Sequence, residues 1–287
     1  MLKLGMDIAV EALYETLSLF PYLYLTYLLM EALEHQLARR SQIYIRRAKK
    51  YGSIIGGLLG IIPQCGFSIA AANLYATGLI TLGALMAVFL STSDEMLPLL
   101  LSNNISLSLI LQIIAIKALF GITAGIAIDK WLPETFIRHK NEPNIQAFCQ
   151  REKCQCKDKE NRWISAFKHT ERILIFIFIC SILINTLLHL GGKETTSDAL
   201  ASAPFLSIMI SAFVGLIPSC YPSVLLTQLY IEQTIGLGTM LAGTLSNAGL
   251  GFLVLYRVNV SKKESLKILA LLFSLGIFFG IIAEILF

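Results

Sequence analysis

GIIPQCGFS (Gly60 to Ser68) and GLIPSCYPS (Gly215 to Ser223) are two copies of one motif, set 155 residues apart. The likeness continues without a gap. Leu74-Tyr75 falls on Leu229-Tyr230, Leu82-Gly83 on Leu237-Gly238, Ala87 on Ala242 and Leu90-Ser91 on Leu245-Ser246. Gly60 to Ser91 matches Gly215 to Ser246 at 13 of 32 positions. Several of these are Gly, Pro, Cys, Ser or Tyr, which apolar segments seldom share by chance, so the chain is an internal duplication.

Around these motifs the chain is apolar. It is 55% hydrophobic and only 15% charged, with a mean hydropathy of +0.69, whereas soluble domains carry about a quarter charged residues. Apolar runs fall at about 8–34, 52–76, 79–101, 106–128, 169–191, 204–231, 235–256 and 265–287. Several reach the roughly 20 residues that a bilayer core demands of a spanning helix. They are continuous, not alternating, which excludes a β-barrel. The first run lacks a charged leader and a cleavage site before it, so it is expected to be retained. Residues 1–128 form the first repeat, 129–165 a polar loop and 166–287 the second repeat.

Basic residues orient the repeats. Arg39, Arg40, Arg46, Arg47, Lys49 and Lys50 mark the loop after the first run as cytoplasmic, while its counterpart, Glu194 to Pro204, has no Lys or Arg. Conversely, the loop with Arg257, Lys262 and Lys263 corresponds to Ser102 to Leu111, which is uncharged. Equivalent loops thus face opposite sides, as an inverted repeat requires. Two apolar runs separate Lys50 from Ser102, yet the crossing number must be odd, so one run returns to its own side. Pro63 breaks 52–76 in its middle, and Pro218 and Pro222 break its copy. The expected fold is an all-α polytopic membrane protein of six full crossings and two re-entrant helical hairpins, ten helical segments in all. The central loop is cytoplasmic and both termini are outside, in the inner (plasma) membrane.

Irregular backbone at membrane depth must be buried in protein or line a cavity. The hairpin tips should therefore meet, with Gln64, Cys65 and Ser68 facing Ser219, Cys220 and Ser223. Ser91 to Glu95, STSDE, sets acids and hydroxyls inside an apolar run and matches Ser246 to Gly251, SNAGLG. Intramembrane acids are expensive and usually functional. Ser91, Thr92, Asp94, Glu95, Ser246 and Asn247 therefore join the candidate ion-binding set, with Asp94 and Glu95 as metal ligands. Oxygen ligands suit hard cations such as Mn²⁺, whereas Cys65 and Cys220 suit thiophilic species. Lys117, mid-run, is read as a charge partner for Asp94 or Glu95. A second reading is a moving proton or counter-charge that replaces the substrate cation during the return step.

The remaining polar residues read more plainly. Glu11, Glu15, Glu31, Glu34, His169 and His189 lie near run ends, where water is available. Cys149, Cys154, Cys156 and His139 match no standard zinc spacing. The basic cluster at Arg39 to Lys50 is a topology signal that meets lipid head groups, not a nucleic-acid patch. There is no Walker A loop, HExxH or nucleophile elbow, so neither an enzyme nor a cofactor is expected.

IPQCGFS (Ile62 to Ser68), LSTSDEMLP (Leu90 to Pro98), GLIPSCYPSVLLTQLY (Gly215 to Tyr230) and LAGTLSNAGLG (Leu241 to Gly251) resemble the ten-helix heavy-metal exporter family, which is linked to arsenic efflux and manganese transport. Ten helices would equal six crossings plus four half-helices. The resemblance implies metal or metalloid export; family members often carry a histidine-rich central loop, where this chain has cysteines. The expected function is a secondary exporter with one cation site opened alternately to each side. Alternatives on the same architecture are a channel or facilitator, a transporter of an organic or oxyanionic solute, and a sensor subunit that binds metal without moving it. The expected partners are a metal or metalloid ion, the bilayer and a second copy of the chain.

Overall fold

The structure, a computed structural model, describes residues 51–62, 65–93, 96–103, 105–132, 204–259 and 261–286, with single positions within 20–25 and 167–179. Every regular element among the described residues is helical. In the first half, α1 covers 51–59, followed by α2 (Cys65–Ala76), α3 (Leu82–Ser91), α4 (Met96–Ser102) and α5 (Leu107–Trp131). In the second, α6 (Pro204–Gly215), α7 (Tyr221–Ile231), α8 (Leu237–Ser246), α9 (Leu250–Val258) and α10 (Lys262–Leu286) repeat the series. The 155-residue offset carries Leu82–Ser91 onto Leu237–Ser246 and Leu107–Trp131 onto Lys262–Leu286, end for end. The duplication read from the motifs therefore extends to the bounds of the helices.

Four segments among the described residues are long and apolar enough to cross a membrane: Leu82–Ser102, Leu107–Trp131, Leu237–Val258 and Lys262–Leu286. The two interrupted ones, α3–α4 and α8–α9, are 81% and 83% buried, against 44% and 33% for unbroken α5 and α10. The interrupted helices thus form the centre and the continuous ones shield them.

Small residues set the central packing. Gly121 and Gly125 on α5 lie on Ala87 and Gly83 of α3; a Cβ on Gly125 would stand 2.6 Å from the Gly83 carbonyl oxygen, and one on Gly121 2.8 Å from that of Ala87. The second half repeats the contact, with Gly280 on Gly238 and Ala242, and Gly276 on Ala242 and Ser246. Lipid offers no hydrophobic drive for helices to associate, so close approach through such small-xxx-small seams carries the packing.

Contacts also fix the levels of the helices. Gly52 lies beside Ala84, and Gly60 beside Val88 and Ser91, so α1 runs alongside α3 in the same direction. Ser53 and Thr81 both donate to Asp129 Oδ2 (2.7 and 2.9 Å), and the Gly83 amide donates to Asp129 Oδ1 (3.0 Å). The starts of α1 and α3 and the end of α5 thus share one level. Asp129 supplies the charge and acceptors that an exposed helix N-terminus favours.

The halves interlock. Helix α2 packs along α9, and the equivalent α7 packs on α4. A Cβ on Gly251 would stand 2.8 Å from that of Ser68. At the other end of α2, the buried Tyr75 hydroxyl donates to Glu264 Oε1 of α10 (2.5 Å). Phe120 of α5 stacks on Phe279 of α10 with ring centroids 4.4 Å apart.

Candidate functional site

Two helix interruptions dominate the interior. Helix α3 ends at Ser91, and the backbone is non-helical at Thr92 and Ser93 before α4 resumes at Met96. In the second half, α8 ends at Ser246 and α9 starts at Leu250, with Gly249 at φ 53°, ψ −146° between them. That conformation suits glycine and strains other residues. Each interruption frees carbonyls at the end of one half-helix and amides at the start of the next. A second pair of interruptions faces them. The chain turns out of helix at Gly60 to Ile62, and again over 216–220 between α6 and α7. Pro218 sits inside the latter turn, whereas Pro222 lies in the first turn of α7, where its missing N–H has no helical partner to lose.

Asn247 organises the second-half interruption. Its amide nitrogen donates to Ser223 Oγ (2.7 Å) and to the Ser219 carbonyl (3.3 Å), while its Oδ1 accepts from the Gly249 amide (2.7 Å). One side chain thereby ties the break in α8–α9 to the turn before α7. Ser246 and Ser219 lie in the same region, both buried, and their hydroxyl oxygens have no hydrogen-bond partner. Buried hydroxyls are normally paired; Ser246 Oγ instead packs against Gly276 of α10. Cys220 lies half-buried just before α7.

The first-half interruption is held differently. Ser91 Oγ donates to the Ala87 carbonyl (2.7 Å) and Thr92 Oγ1 to that of Val88 (2.6 Å), which folds both hydroxyls back on α3. Lys117, 1% exposed, comes from α5 into the gap. Its ammonium donates to the Thr92 carbonyl (2.6 Å) and the Thr244 carbonyl (3.4 Å), and so touches both halves at once.

The structure therefore places Ser68 on Gly251, groups Ser219, Ser223 and Asn247, and sets Thr92 and Lys117 together with Thr244. Gln64, Asp94, Glu95 and the Cys65 side chain lie outside the described residues, as do Pro63, Cys149, Cys154, Cys156, His139, His169, His189 and the acids of the first apolar run. Among the described residues no three His, Cys, Asp or Glu side chains form a metal-holding group. Sequence reading passed over Thr244 and Gly251. Thr244 contributes a backbone carbonyl, which no side-chain pattern announces, whereas Gly251 was legible as the close-approach glycine of SNAGLG.

Residues 7–196 match the family described as "Putative, 10TM heavy-metal exporter". The chain belongs to this family. The exporter match spans the first half, the polar segment and the start of the second half, and it stops before Gly215 to Ser223, so the second copy of the motif is supplied by the duplication itself. No curated protein and no solved structure matches the chain. A multi-pass membrane protein of a heavy-metal exporter family accords with the apolar helices and the broken central pair.

Proposed function

We propose that the chain is a secondary transporter that exports a metal or metalloid ion by alternating access around a site at mid-membrane depth. The observation that carries this reading is the convergence of two broken helices, one from each half, on Lys117. Broken helices that meet at mid-depth are how inverted-repeat transporters expose backbone groups to an ion.

Helix levels support the re-entrant and inverted arrangement. Helix α1 starts level with α3, and only five residues separate Ala76 from Leu82, so α2 must return to the side from which α1 came. Residues 51–76 then form a hairpin that enters and leaves on one face. Ser68 meets Gly251 and Tyr75 meets Glu264, so α2 and α9 end on that same face. Helices α3–α4 leave that face and α8–α9 return to it, which makes the halves antiparallel. Lys262 and Lys263 beside this end mark it as cytoplasmic. Asp94 and Glu95 are the proposed hard ligands, with Ser219 and Ser246 as candidate oxygens; Cys65 and Cys220 would serve a thiophilic substrate.

A second reading is an oxyanionic solute. It is favoured by the N-terminus of α7, where Cys220 and Ser219 stand at the positive end of a half-helix.

Flux into inside-out vesicles separates the readings. If Asp94→Asn/Glu95→Gln alone loses Mn²⁺ and Zn²⁺ uptake, the protein is a hard-cation exporter. Loss of arsenite uptake in Cys65→Ser/Cys220→Ser makes it a metalloid exporter. Absence of uptake of all three by the wild type sinks both forms and leaves the oxyanion reading, which arsenate uptake would test.

A further inference from the structure

We propose that Lys117 is a tethered counter-cation: its ammonium holds the carbonyl oxygens of the two broken helices while substrate is away and yields them when a substrate cation arrives. This rests on the transporter reading above and narrows its substrate to a cation. The two carbonyls are not ordinary backbone. Thr92 is the C-cap of α3, and Thr244 lies in the last turn of α8, two residues before its end. Both belong to the last carbonyls of a helix, which lack an intrahelical partner and carry the negative end of its dipole. Two half-helices from different halves thus aim their negative ends at one point, and the ammonium sits there, 2.6 and 3.4 Å from the two oxygens.

Packing alone does not explain the lysine. Its counterpart 155 residues on is Leu272, which is likewise 1% exposed and lies one turn before Gly276, the α10 residue that packs on Ser246 at the end of α8. The fold is therefore content with an aliphatic side chain at this place. Burying an ammonium at mid-membrane depth is costly unless it meets a function. Between these two equivalent positions the duplicated architecture has spent that cost once, which gives the centre one resident cation among the described residues. Lysine suits the part, being a point charge on a flexible four-carbon stem that can leave two oxygens without moving a helix.

The consequence for transport is specific. A carrier whose centre holds either a substrate cation or the ammonium has its helix ends neutralised and can rearrange. A carrier whose centre holds neither leaves two negative helix ends facing each other in low dielectric, and rearrangement is opposed. The ammonium is then needed for the empty return step and not for the loaded one.

Mn²⁺ exchange and net Mn²⁺ efflux in proteoliposomes of the full chain distinguish these steps, because exchange uses only the loaded carrier. Lys117→Met is expected to keep exchange within about threefold of wild type while net efflux falls by at least about tenfold, and to bind Mn²⁺ about tenfold more tightly in detergent once the competitor is gone. Lys117→Arg keeps the charge and should retain net efflux. Loss of exchange together with net efflux in a Lys117→Met protein that still elutes as wild type overturns the proposal in favour of a structural role. Retention of both fluxes overturns it as well. Should Lys117→Met fail to accumulate, Lys117→Gln takes its place with the same expectations, and loss of both fluxes in the Gln and Arg variants alike is the overturning result. If wild-type vesicles move no cation in either mode, the transport reading fails; tighter Mn²⁺ binding by Lys117→Met then still supports the counter-cation, and unchanged or weaker binding overturns it.

Discussion

Asn247 shows how much one side chain decides in this protein. It makes two donor bonds and one acceptor bond, to Ser223, Ser219 and the Gly249 amide, inside a buried and interrupted stretch. Asn247→Ala removes all three and strands a buried hydroxyl, carbonyl and amide, each worth about 1–3 kcal/mol when left unpaired. Thermal unfolding in detergent should drop clearly, and ion flux should fall with it. Asn247→Asp tests the donor itself. It keeps the acceptor for Gly249 but turns an oxygen toward the Ser219 carbonyl, so its flux should fall even where its melting temperature recovers relative to Asn247→Ala. At the same scale lies Gly276, whose added methyl would run into Ser246 Oγ and stand 2.9 Å from the Ala242 carbonyl. Gly276→Ala is expected to cost about 1–3 kcal/mol through overpacking, read as a lower melting temperature.

At the scale of elements, α2 is fastened at both ends to the other half, through Gly251 near its start and through Glu264 near its finish. Tyr75→Phe deletes the hydroxyl that donates to Glu264 without changing the ring. It should destabilise the protein by about 1–3 kcal/mol, because a buried carboxylate loses a partner. A melting temperature equal to wild type would show that α2 is not held there. The helices themselves were largely legible. The runs at 106–128 and 265–287 correspond to α5 and α10, and the polar STSDE and SNAGLG stretches mark where α3–α4 and α8–α9 are interrupted. The Gly-Ile-x-x-Gly of α5 (Gly121 to Gly125) and its copy in α10 (Gly276 to Gly280) were equally present, yet their meaning emerges only when the faces they pack on are known. The contacts of Lys117 were the least legible. Sequence patterns give no sign of backbone carbonyls such as those of Thr92 and Thr244, which a helix end exposes, while the acids expected to pair with the lysine, Asp94 and Glu95, lie outside the described residues. Asp129 reads as the first residue of a polar loop, but α5 runs through it to Trp131 and it caps α3.

At the scale of the whole molecule, the proposed antiparallel arrangement makes a sided prediction. Single cysteines at Ser102 and Lys263, equivalent in the duplication to within a few residues, should be labelled by a membrane-impermeant reagent from opposite faces: Ser102 from outside, Lys263 from the cytoplasm. Labelling of both from one face would rule out the inverted arrangement.

The interlock of the halves also has a consequence in time. Thr92 and Thr244, the two residues joined through Lys117, are 152 positions apart in the chain. Synthesis at about 5–20 residues per second separates their emergence by about 8–30 s. For most of that interval the first half is already made, with a lysine and an unwound segment in its middle, while α2 and α4 still lack α9 and α7. Until α7, α8 and α9 arrive, the faces of α2 and α4 that they later cover stand open, and the first half waits for its own second copy.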